Sequence, residues 1–175
     1  MTTYDIDRAW SDKYLHAIRL AVGPHLLTES SFATDTKRAT DMVSLTVQPR
    51  HIACRIRRHD YVTRYPTEFT IRAARDTGTE TELSKIMDGH ADWMFYGFAS
   101  AQSVGICLWY LLDLDVFRET LWTRDFPTTR KSNPDGTHFE TYNLMTFPDA
   151  RRLVIDSWAS EPYRRLIPPH VLGPR

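Results

Sequence analysis

Two neighbouring runs, "DWMFYGFA" (92–99) and "VGICLWYLLDL" (104–114), constrain the fold of this chain more than any other feature. Both are dense in aromatic and β-branched residues and only the polar "SAQS" separates them, so the pattern predicts a buried hairpin. Aromatics at successive positions of a strand face a core on both sides, which requires a cover on each face of the hairpin. The rings are therefore read as core and not as stacking platforms for single-stranded bases. With 175 residues, 42% of them hydrophobic, the chain can bury this hairpin in one domain, core about 7–158, without metal or disulfide staples.

Around the hairpin the elements alternate. Trp10, Tyr14, Leu15, Ile18 and Ala21 recur at helical spacing between Asp7 and Val22, and Gly23-Pro24 is the expected stop. "HLLTESSFATD" becomes strand-like. "DMVSLTV", from Asp41, alternates and turns through "QPRH" into "IACRIRR", which predicts an antiparallel pair. "EFTIR" is a further strand, with Phe69 and Ile71 on one side and Glu68, Thr70 and Arg72 on the other. In "DTGTETELSKIMDGH", Thr79 and Glu82 stand at capping-box spacing before a short helix that Gly89 ends. Leu114 to Trp122 resumes helical spacing. "TRKSNPDGTH" reads as a loop, "FETYNLMTF" and "RRLVIDSW" as late strands, and the Pro-rich residues 166–175 as an extended tail. The sum is an α/β (α+β) domain, a central mixed β-sheet flanked by helices.

Charge is distributed unevenly along this order. The formal net charge is zero, which argues against a generic polycation, yet Arg50 to Asp76 holds seven arginines against three acids. "IACRIRR" concentrates the question: Ile52, Cys54 and Ile56 share one face of a strand, and Arg55 and Arg57 stand side by side on the other. Two guanidinium groups in such a place are either solvated or face something acidic, a carboxylate or a phosphate.

The element order with Asp41 opening one strand, and "RIR" at Arg55 to Arg57 on the next, resembles the restriction-endonuclease-like PD-(D/E)XK nuclease superfamily, small phage or mobile-element members in particular. "ATD" at Ala39 to Asp41 stands where that family has P-D, and "RIR" where it has E-x-K. The resemblance implies a metal-dependent DNA nuclease in which carboxylates hold Mg²⁺ or Mn²⁺ and a cation offsets charge on the transition state. Asp41 would be the first ligand. Arg55 cannot bind a metal, so the second carboxylate has to come from elsewhere: Glu68, which shares a polar face with Arg55 and Arg57 if the sheet pairs "EFTIR" with "IACRIRR", or Glu29. Arg57 would supply positive charge without acting as a base. Lys85 would take the place of the polar helix residue that family members set near the scissile phosphate, with Arg55, Arg58 and Arg72 holding the DNA. Junction-resolving relatives work as dimers, which implies a homodimer.

The blander readings are ion pairing and turn formation. Asp41 at a strand start is a turn former, Glu68 beside arginines is a cross-strand ion pair, and Lys85 is a solvated cation. A catalytically inactive module using the arginine face to bind nucleic acid or an acidic protein is the alternative function. Walker, dinucleotide, esterase-elbow and HExxH motifs are lacking, and neither histidines nor cysteines stand at zinc spacing. Cys54 and Cys107 read as reduced, packed thiols. With no leader-like N-terminus and no membrane-length apolar run, the chain is read as soluble and cytoplasmic.

Overall fold

The structure, a computed structural model, describes residues 3–26, 49–102 and 104–171. Glu29, Asp41, the "DMVSLTV" strand and the last four residues lie outside them. The fold is mixed α/β, a mixed sheet flanked by helices.

The predicted hairpin forms: β3 (Trp93–Ala99) pairs antiparallel with β4 (Ile106–Asp113), Tyr96 opposite Tyr110 and Phe98 opposite Leu108. β1 (Ile52–Arg57) lies parallel to β3 on one side and β7 (Val154–Ala159) antiparallel to β4 on the other, giving the order β1-β3-β4-β7. Residues 94–99 and 107–112 are all buried, as consecutive apolar positions demand. Gly97 makes room here. A Cβ at that position would lie 2.9 Å from Ile56 Cδ1 and 3.0 Å from the Phe95 ring, so any other residue would have to push these side chains aside where β1 and β3 close.

The outer face of the sheet is covered by the N-terminal helices α1 (Thr3–Asp12) and α2 (Leu15–Leu26). Tyr14, Ile18 and Val22, spaced by four, pack against Ile56, Phe95, Trp109 and Leu111. The single helix expected from Asp7 to Val22 is thus two, separated at Lys13-Tyr14, where the Lys13 ammonium sits over the Trp10 and Tyr14 rings. Nor does Gly23-Pro24 stop it. Pro24 falls in the last turn, where it has no N–H to pair with the Leu20 carbonyl, and the helix ends two residues later at Leu26.

The inner face packs against a second, antiparallel sheet, β2 (Glu68–Arg75), β5 (Thr129–Ser132) and β6 (Thr137–Asn143), ordered β2-β6-β5. Two sheets replace the single central one expected, and "TRKSNPDGTH" is the β5–β6 hairpin rather than a loop: Asn133 to Gly136 turn it, and Gly136 adopts φ 74°. Phe69 of β2 is at the centre of this core. It stacks on Tyr142 at 5.2 Å and meets Tyr96, Phe117 and Phe147.

Short helices close the ends. α3 (Glu82–Met87) follows β2. α4 (Leu114–Thr123) is capped by Asp113, whose carboxylate accepts from the Asp115 and Val116 N–H groups at 2.8 and 3.2 Å. α5 (Ala150–Leu153) takes the first half of "RRLVIDSW", which was expected to be all strand. α6 (Glu161–Arg164) leads into residues 166–171, which are packed rather than frayed: Ile167 and Val171 are buried, and the Val171 carbonyl accepts from Ser157 Oγ at 2.7 Å. Among the described residues no helix is long and apolar enough to cross a membrane.

Candidate functional site

On the inner face, rows of side chains run across the sheet, and the row that holds Tyr96 and Tyr110 ends at Arg55 on β1; the next holds Phe98, Leu108 and Arg57. Where β3 and β4 fill the space between the sheets with rings, β1 lines it with guanidinium groups. A cleft of about 1110 Å³ opens there, bounded by β1, the 3₁₀ turn His59–Tyr61, the outer half of β2, α3 and the β5–β6 hairpin. Among the described residues its walls carry Arg50, Arg55, Arg57, Arg58, Arg72, Arg75 and Lys85, against three carboxylates, Glu80, Glu82 and Asp135.

Three of these cations are paired: Arg50 with Asp92 at 3.4 Å, Lys85 with Glu80 at 3.5 Å and Arg55 with Glu82 at 2.5 Å. Arg57, Arg58, Arg72 and Arg75 form no ion pair among the described residues. Arg57 lies over the Tyr61 ring at 4.0 Å and donates to Thr70 Oγ1 at 3.4 Å. Arg58 is exposed, 6.0 Å from the Trp10 ring.

Glu82 is the carboxylate that answers the two-arginine question, and only for Arg55. One of its oxygens accepts both from the Arg55 guanidinium and from the Arg72 backbone N–H, the latter at 3.0 Å. The capping role assigned to Thr79 and Glu82 falls two residues later: Thr81 precedes the helix and its N–H donates to Ser84 Oγ at 2.9 Å. That shift places Glu82 at the first helical position, with its side chain free to reach the cleft. The sequence contained the signal, since Thr81 and Ser84 also have three-residue spacing, but Ser is a weaker cap partner than Glu. Arg75, Tyr61 and Phe139 were missed because their place in the cleft depends on how the two sheets stack.

The expected site residues scatter. Glu68 opens β2 opposite Asn143 in the second sheet, does not line the cleft and forms no ion pair with Arg55 or Arg57. Sequence reasoning set it beside them by pairing β2 with β1, and the structure pairs β2 with β6. Lys85 sits at the cleft wall, exposed and engaged with Glu80. Arg55, Arg57, Arg58 and Arg72 do come together. Among the described residues no three His, Cys, Asp or Glu side chains are placed to hold a metal ion, and one Glu82 oxygen already accepts from two donors. Asp41 and Glu29, two of the three expected ligands, lie outside the described residues.

Two other chemistries have a physical answer. Cys54 lines the cleft and as a residue is exposed rather than packed as expected, while burial of its sulfur pushes the thiol up to about 11, which disfavours the thiolate. Cys107 is buried as expected. Ser132, His138 and Asp76 form a hydrogen-bonded chain, 2.7 and 2.6 Å, on the side of β6 away from Phe139. Ser132 and His138 are register partners in a surface hairpin, so this is a cross-strand polar contact. In comparisons with family models, curated proteins and solved structures, nothing matches this chain.

Proposed function

We propose that the cleft binds a nucleic acid, DNA first of all, through its phosphates. The observation that carries this reading is the charge imbalance along one open cleft: Arg57, Arg58, Arg72 and Arg75 lack ion-pair partners among the described residues and converge on it. Clustered guanidinium groups repel one another and lose hydration in a cleft, a cost that a polyanion offsets by replacing both water and counterions. Arginine is suited to this because its fork meets two phosphate oxygens at once.

The test is fluorescence anisotropy with a 20-nucleotide DNA between 50 and 300 mM NaCl. Binding should weaken with a log–log salt slope of about −0.7 for each single-strand phosphate engaged, and Arg58→Ala and Arg75→Ala should each flatten it by about one contact. A salt-independent affinity, or one that both substitutions leave unchanged, overturns the reading. Tighter binding of a polyglutamate peptide than of DNA would favour an acidic protein partner instead.

The resemblance to restriction-endonuclease-like nucleases adds a hydrolytic step to this reading, supported by the spacing of Asp41 and Arg55-Ile56-Arg57 in the sequence. Its own test is plasmid nicking with Mg²⁺ or Mn²⁺. Cleavage that Asp41→Asn abolishes while DNA binding persists would make the protein a nuclease, and binding without cleavage would leave it a binding module.

A further inference from the structure

Two guanidinium groups share one aromatic ring in the cleft: Arg55 lies 4.9 Å and Arg72 5.9 Å from the centre of Phe139. Like charges drawn to the same small surface need an anion nearby, and Glu82 meets that need for Arg55 alone. Toward Arg72 the same Glu82 oxygen turns to the backbone N–H, not to the guanidinium. The side chain of Arg72 keeps an unused donor. Its Nε is buried without any hydrogen-bond partner, one of two such buried side-chain polar atoms among the described residues, and Arg72 lines the cleft. An unmatched buried donor is unfavourable, and an anion that drew the Arg72 guanidinium toward the cleft would relieve it.

We infer that Arg72, with Arg55 and Arg75 around it, forms a subsite for a single phosphate group, held over the Phe139 edge of the cleft by the guanidinium groups that line it. The groups that face this position are Arg55, Arg75, Glu82 and Asp135. Desolvation, then the positive fields of Arg55 and Arg75, hold the Arg72 pKa below its ordinary value, while Glu82 and Asp135 act the other way. The balance is thus short of negative charge. A tetrahedral phosphate suits the place better than a second carboxylate, because it presents several acceptors on one centre and can meet two guanidinium forks together. The subsite deepens the proposed nucleic-acid reading and rests on it for the source of the phosphate, which is an internal diester, a strand end or a free phosphate.

The experiment uses the full chain with inorganic pyrophosphate and two 12-nucleotide DNAs, one 5′-phosphorylated and one not, on the wild type and Arg72→Lys. Lysine keeps the charge and removes the planar fork. Pyrophosphate should raise the wild-type melting temperature above that in NaCl of equal ionic strength, and Arg72→Lys should remove that rise and weaken DNA about tenfold. Preference for the 5′-phosphorylated strand would name a strand end as the source, and equal affinity an internal diester; both support the subsite if Arg72→Lys loses them. Should Arg72→Lys fail to fold, the wild-type pyrophosphate shift decides alone. No wild-type shift, or an Arg72→Lys affinity within twofold of wild type, overturns the subsite. In the second case DNA binding itself would stand. Conversely, a pyrophosphate shift sensitive to Arg72→Lys with no DNA binding would keep the subsite and discard the nucleic acid.

Discussion

The inner face of the four-stranded sheet is two regions built on the same rows. In the middle, Tyr96 and Tyr110 are fully buried and their polar tips are matched, Tyr96 by Thr70 Oγ1 at 3.2 Å and Tyr110 by the Pro66 carbonyl at 2.6 Å. One strand over, Arg55 and Arg57 continue those rows, and the polar groups around them are only partly matched. A core tolerates a hydroxyl because one hydrogen bond satisfies it. A guanidinium carries five donors and a fixed charge, so a chain that places several in one cleft leaves donors over. The first region answers to packing and the second to whatever anion enters, and substitutions in each should therefore move different observables.

The largest effect belongs to the packed region. Phe69→Ala removes the ring on which Tyr142 stacks and which Tyr96, Phe117 and Phe147 surround, and should cost about 3–5 kcal/mol in urea unfolding. DNA affinity measured well below the melting temperature should stay the same. A loss of less than about 1 kcal/mol would show that the two sheets do not meet around this ring. Next comes Glu82→Gln, on the cleft side. Gln can still accept from the Arg72 N–H but no longer neutralises Arg55, so stability should fall by about 1–2 kcal/mol. Phosphate and DNA should bind more tightly, since the cleft gains net positive charge. Stability and affinity moving in opposite directions is the signature of the cleft region. If both fell together, Glu82 would be a structural pair and nothing more.

How well each region could be read from sequence follows from the same contrast. The hairpin of β3 and β4, the helix after Asp113 and the short helix before Gly89 were legible because runs of apolar residues and local spacing specify them without reference to distant chain. The pairing of β2 was not. "EFTIR" alternates equally well whichever strand it joins, and only the fit of Phe69 against Tyr96, Phe117 and Tyr142 assigns it to the second sheet. That single choice removed Glu68 from the arginines and brought Glu82 to them. Arg55 and Arg57 were recognised as a pair in need of an anion from alternation alone, whereas Arg75 and Phe139, far apart in sequence, meet only once the sheets are stacked. Proline, too, misled locally: Pro24 sits inside α2 because its neighbours Ile18 and Val22 are fixed to the sheet beneath.

The smallest effect gives the sharpest control on this division. Asp113 closes β4 opposite Trp93 and caps α4 through two backbone N–H groups, outside the cleft walls. Asp113→Ala leaves both donors to water and should cost about 1 kcal/mol, read as a lower urea midpoint with an unchanged m value. It should leave the salt slope and the pyrophosphate response untouched, because no charge near Arg72 changes. If this modest loss of stability also weakened DNA binding, affinity would be reporting the firmness of the whole domain. The arginine flank would then be one more part of the core rather than a surface with its own ligand, and the Glu82→Gln result would need to be read as stability alone.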